Sequence, residues 1–150
     1  MQLSLSPTTL VAVFAAMVGL IALVPAYRRR ASLNLARPGI ALAIFPPLAM
    51  LGLFYSLAIH MRQSLGAWPS SIGERGFPPL LVAHAHIASS YFVALLLLSM
   101  FVLPVIILLC LFVPPWKRFI PYFALFGLLF VICWGLMQLA PEPFLHWWID

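Results

Sequence analysis

Residues 55–91 read YSLAIHMRQSLGAWPSSIGERGFPPLLVAHAHIASSY. Two apolar arms that both carry histidine flank a connection rich in glycine, proline and serine. Three of the chain's four histidines, His60, His84 and His86, lie in this stretch. Outward from it, both arms continue into long apolar runs. Spanning roughly 30 Å of hydrocarbon takes about 20 apolar residues in a helix. Four segments meet that length, at 7–27, 40–60, 84–113 and 119–139. The sequence therefore predicts an all-α fold: an integral membrane bundle of four transmembrane helices in one domain, with a long outer loop between the second and third.

Composition supports this reading. The chain is 65% hydrophobic and 7% charged, with a mean hydropathy of +1.11. A soluble domain carries about 25% charged residues. So few charges cannot cover a water-facing surface, and the expected solvent is the lipid bilayer. The net charge is +5, but six of the eight positive residues flank apolar runs. They read as orienting charge and leave nucleic acid no role. Two cysteines without a Cys-x-x-Cys spacing imply no disulfide framework. Cys110 and Cys133 should lie at different depths, too far apart for the roughly 7 Å that a disulfide allows between Cα atoms. No secretory signal is expected, because the arginine cluster follows the first apolar run instead of preceding it.

Along the first span, Ala12, Ala15, Ala16, Gly19 and Ala22 form a small-residue stripe suited to close helix packing. Arg28, Arg29 and Arg30 end that span, and Pro38-Gly39 opens the second. Pro46 and Pro47 lie inside the second span. Each removes an amide donor and crowds the preceding turn, so a kink or broken turn is expected near Leu42 and Ala43. The connection from 61 to 78 carries turn chemistry and the aromatic anchors Trp68 and Phe77. The third apolar run extends from 79 to 113, longer than the hydrocarbon core, and Pro104 should bend it. Pro114-Pro115-Trp116-Lys117-Arg118 forms a tight turn. Pro141 and Pro143 stop the fourth span, and the aromatic tail 144–149 is expected in the interface. Tyr27, Trp116 and Tyr122 suit an inner aromatic belt, and Trp68, Phe77, Trp134, Trp147 and Trp148 an outer one.

Charge sets the expected topology. The first connection carries Arg28, Arg29, Arg30 and Arg37, and the third carries Lys117 and Arg118. By the positive-inside rule both are cytoplasmic, giving a multi-pass protein of the cytoplasmic membrane with both termini outside (N-out/C-out). All four histidines then fall near the outer face.

Gly52, Ser56 and His60 are spaced four apart and share one helix face, expected to turn toward the bundle. His86, Ser90 and Ala94 make a similar stripe, whereas His84 aligns with Ala88 and Tyr91. Residues two apart on a helix point about 200° apart, so His84 and His86 cannot both reach one site on a regular helix. His60 and His86 are the expected neighbours. Three chemistries fit such a site. His60 and His86 can ligate a b-type haem. His60, Met61 and His84 or His86 can hold copper. A quinone can sit against a histidine and Tyr55 or Tyr91. The bland alternative, interfacial histidines bonded to water or backbone, carries somewhat more weight.

The spans hold almost no Asp, Glu, Lys or Arg, which disfavours an ion-coupled transporter. No His-Glu-x-x-His, Gly-x-Ser-x-Gly or phosphate-binding loop occurs, which disfavours a hydrolase or ATPase. The leading expectation is a non-enzymatic subunit or assembly factor of a membrane complex, packed against other subunits or a second copy. A redox or metal-binding membrane protein comes second, and a small transporter or channel third.

Overall fold

A computed structural model describes residues 36–69 and 76–149 of the chain. The predicted span at 7–27, the arginine cluster after it and Arg75 lie outside the described residues. The elements are α1 (Arg37–Leu65), α2 (Pro79–Leu97), a π-helical turn (Leu98–Val102), α3 (Leu103–Phe112), a 3-10 stretch (Pro114–Phe119), α4 (Ile120–Met137) and α5 (Glu142–Ile149). The described residues are helical wherever they form regular structure. Among the described residues, three helices are long and apolar enough to cross a membrane: Arg37–Leu65, Pro79–Phe112 and Pro114–Met137. They are the second, third and fourth predicted spans, and they mark a membrane protein.

Helix α1 is central and packs on both α2 and α4. Its buried side chains Met50, Phe54, Leu57 and Met61 meet Leu81, Ala85 and Ala88 of α2 and Phe130, Cys133 and Met137 of α4. Leu42, Phe45, Ile87, Phe101 and Phe112 point away from this core, as lipid-facing residues should. Cys110 and Cys133 are both buried free thiols, in keeping with a packing role.

The ends of α1 show why the helix stops where it does. Gly66 adopts the left-handed conformation (φ 66°), and its N–H bonds to the Arg62 carbonyl. Glycine accepts this geometry without strain. The helix thus runs past the predicted end at His60 and shortens the connection that follows. At the other end Tyr122 of α4 acts as a clamp. Its hydroxyl accepts a hydrogen bond from the Ala36 N–H at 2.8 Å. A Cβ on Gly39 would lie 2.5 Å from the Tyr122 ring, so only glycine allows that approach. Tyr122, expected in an inner aromatic belt, thus packs against the start of α1.

The prolines act differently from one another. Helix α1 runs through Pro46 and Pro47 as one continuous helix, so the broken turn expected there does not form, although the Leu42 and Ala43 carbonyls lose their usual donors. In the third span the consequence is visible. Just before Pro104 the helix widens into the π turn, where the Leu103 N–H bonds five residues back to Leu98. The buried Ser99 hydroxyl, next in that turn, donates to the Leu95 carbonyl at 2.7 Å. A ring that cannot donate and crowds the turn before it is accommodated by this extra residue per turn.

The aromatic tail departs from expectation. α5 folds back onto the bundle, and Phe144 has 0% exposure. Its ring lies 5.0 Å from Phe54 and 6.0 Å from Trp68 between centroids. Trp148 meets Phe54 at 5.2 Å and Phe92 at 5.7 Å, and Phe92 stacks on Trp134 at 5.2 Å. The residues expected to form an outer belt thus pack against phenylalanines of the bundle and the tail, and Phe77 meets Trp147 at 5.9 Å.

Candidate histidine site

The polar groups of the bundle gather where α1 and α2 meet near the loop. His60 is five residues before the end of α1 and His84 five residues after the start of α2. At about 1.5 Å per residue both sit within about 8 Å of their helix ends. His60 Nδ1 lies 3.0 Å from His84 Nδ1, and the rings are tilted 35° to each other. His84 Nε2 lies 3.1 Å from Ser56 Oγ, and the Ser56 hydroxyl donates to the Leu53 carbonyl at 3.0 Å.

One direction of donation is consistent with all of these contacts and starts from the Ser56–Leu53 bond. Ser56 has one hydroxyl proton, and it goes to Leu53. Its oxygen therefore accepts from His84 Nε2–H. A neutral His84 then presents Nδ1 as an acceptor, so His60 must donate from Nδ1–H. A neutral His60 is left with an unprotonated Nε2. No hydrogen bond to that atom occurs among the described residues. It is not sealed off either, since no buried side-chain nitrogen or oxygen among them lacks a partner. The network therefore presents one directed lone pair, on His60 Nε2, to the surroundings of the bundle. Such an atom can accept a hydrogen bond, take up a proton or coordinate a metal.

The other expected site residues take different places. His60 pairs with His84, not with His86. The Leu81, Ala85 and Ala88 face of α2 carries the packing, which brings His84 beside α1 and turns His86 to the far, exposed side. As placed, His60 and His84 form a hydrogen-bonded pair. Opposed axial ligands would need about 4 Å between nitrogens, twice a metal–nitrogen bond of roughly 2.0 Å. Met61 is fully buried in the core. The Tyr55 hydroxyl donates to the Leu136 carbonyl at 2.7 Å. The Tyr91 hydroxyl donates to the Pro46 carbonyl at 3.2 Å, so both tyrosines tie helices together. No three His, Cys, Asp or Glu side chains converge as a metal-ligating group among the described residues.

The Gly52-Ser56-His60 face also differs from expectation. Gly52 and Ser56 are exposed, and a Cβ on Gly52 would meet nothing within 4 Å. The stripe looks out of the described bundle, because the bulkier Met50, Phe54, Leu57 and Met61 fill the core. Sequence reading found each member of this site but missed the pairing and the direction of the face. The chain matches no known family model, no curated protein and no solved structure.

Proposed function

We propose that this chain is a non-enzymatic subunit or accessory factor of a membrane complex, and that a partner's transmembrane helix packs on the face of α1 bearing Gly52, Ser56 and His60. The observation that carries this reading is the open His60 Nε2 at one end of an exposed small-residue stripe. In lipid, helices associate where small residues let backbones approach, and side-chain hydrogen bonds across the interface add to the contact. A glycine facing hydrocarbon gains nothing there, and the lone pair near the helix end meets at most water or headgroups, whereas both gain from a docked helix.

A photo-crosslinker at Ile59, which is 56% exposed beside the stripe, tests this in native membranes. The expected result is one discrete adduct with another membrane protein. An adduct only within the chain, to the 7–27 span, overturns the reading. Changing Gly52 to Leu should abolish the adduct and leave the chain's own melting within about 1 kcal/mol, since the added side chain meets open space and leucine is the better helix former.

The proposed topology places four spans in the cytoplasmic membrane with both termini outside. Its support is the excess of Arg and Lys on the first and third connections. A cysteine at Ser70 should react with an impermeant thiol reagent in intact cells, and one at Ser32 should not. The reverse pattern overturns the orientation.

A second reading rests on the same His60 Nε2, which can also meet a transition metal or a proton-donating quinol. On that reading His60 is the one ligand the described residues present, and the remainder must come from the incoming group or a partner.

A further inference from the structure

Beside the histidine face, around the C-terminal turns of α1, lies a cleft of about 340 Å³. Its walls include Tyr55, Ile59, Arg62, Gln63, Trp68 and Pro141. We infer that this cleft binds the headgroup end of an anionic phospholipid, with the Arg62 guanidinium on the phosphate. The inference is independent of the proposed partner helix and needs only that the chain sits in a bilayer.

Three features of the cleft meet in that ligand. Arg62 is exposed and has no ion pair among the described residues, whose one such contact joins His146 and Glu142 at 3.7 Å. Its Cζ sits 5.6 Å from the centroid of the Trp68 ring, within cation–π range, which favours keeping the guanidinium beside the cleft. The rest of the lining is mostly apolar. The Tyr55 hydroxyl is already committed to Leu136, so Tyr55 offers the cleft its ring, and Ile59 extends the apolar wall one turn deeper along α1. A cation over an apolar slot, at the level where a spanning helix ends, matches a charged headgroup with the start of an acyl chain below it.

The local charges favour a bound anion only through Arg62. The C-terminal end of α1 carries the negative pole of the helix dipole. Glu142 follows Pro141 at the rim, with its carboxylate turned to His146. The site therefore stands on one guanidinium, which makes it simple to test. Gln63 adds an uncharged amide donor. The volume accommodates a phosphate, its glycerol and the first methylenes, not a whole lipid.

The purified full chain is equilibrated in detergent with equal amounts of phosphatidylglycerol and phosphatidylcholine, and the lipids retained are counted by native mass spectrometry. One phosphatidylglycerol per chain is expected, at about a five-fold preference, the factor that one basic residue contributes near an anionic surface. Arg62→Gln should bring the two lipids to parity. Arg62→Lys should keep part of the preference, because it retains the charge and loses the bidentate donors of the guanidinium. Melting in phosphatidylcholine alone should be the same for all three proteins, which separates loss of the site from loss of the fold. A wild-type preference that survives Arg62→Gln, or no preference in the wild type, overturns the site. Displacement of the lipid by inorganic phosphate at equal concentration would show a free-phosphate site and overturn the lipid assignment.

Discussion

Replacing Phe144 with alanine should release α5 from the bundle and cost about 3–5 kcal/mol, the range for truncating a buried phenylalanine. The ring has 0% exposure and touches four other aromatics. Phe54 lies at 5.0 Å, Trp68 and Trp147 at 6.0 Å, and Trp148 at 6.4 Å. Deleting it leaves a hole that these rigid rings cannot fill by small shifts. The spans should stay helical, because Phe130, Cys133 and Met137 of α4 still pack on α1. The loss should therefore appear as local undocking and not as global unfolding. Near-ultraviolet circular dichroism from the tryptophans should collapse while the far-ultraviolet signal holds, and a protease should cut after the tail undocks. Glu142→Ala is the matched control. Its pair with His146 is exposed at both ends (71% and 87%), and such pairs contribute little. A Phe144→Ala protein with an unchanged tryptophan signal would show that α5 lies free on the membrane surface.

That tail shows what the sequence exposes and what it hides. Sequence reading misses its helix, because Pro141 and Pro143 read as a stop and the aromatics as an interfacial tail, although the signal is present. Phe144 and Trp148 are four apart, as are Glu142 and His146, so an apolar and a polar face separate cleanly. Where the apolar face goes is not legible. The same aromatics suit a membrane interface or a neighbouring helix, and the choice rests on the turn at 138–141, whose direction follows from backbone bonds such as Ala140 N–H to Met137 O. The apolar spans are read reliably because length and composition alone define them. The facing of Gly52 and Ser56 is misread because polarity does not choose the inside in lipid. In water a serine and a glycine beside large apolar residues signal nothing clear, and in hydrocarbon side-chain volume decides. The histidine pairing depends on the relative register of α1 and α2. That register is set by packing among Leu57, Met61, Leu81 and Ala85, and no spacing within either helix records it.

Replacing His84 with alanine should remove the direction that the network imposes on His60. In the polarity that starts from the Ser56–Leu53 bond, His84 donates from Nε2 and accepts at Nδ1, and His60 donates from Nδ1. Nitrogen-15 spectra of histidine-labelled protein, taken where both rings are neutral, should show His60 with a protonated Nδ1 and a bare Nε2. Without His84 the His60 Nδ1–H has no acceptor, and the ring is free to carry its proton on either nitrogen. Leaving a donor unpaired costs about 1–3 kcal/mol when buried, and the half-exposed position of His60 puts the loss at the low end. Ser56→Ala has a different expected outcome. It takes away only the acceptor at the far end, so His84 can reverse, donate from Nδ1 and force the His60 proton onto Nε2. His86→Ala should leave the His60 signals in place, since that side chain lies on the opposite side of α2. The two functional readings then part. A partner helix that donates to His60 Nε2 loses its acceptor in the Ser56 variant and keeps it in the His84 variant, where the ring can still protonate at Nδ1. A metal can still displace the proton in the Ser56 variant and bind, with a signature in metal analysis and absorption that His60→Ala removes. A protonated Nε2 on His60 in the wild-type chain would overturn the polarity of the network and, with it, the support that His60 gives to either reading.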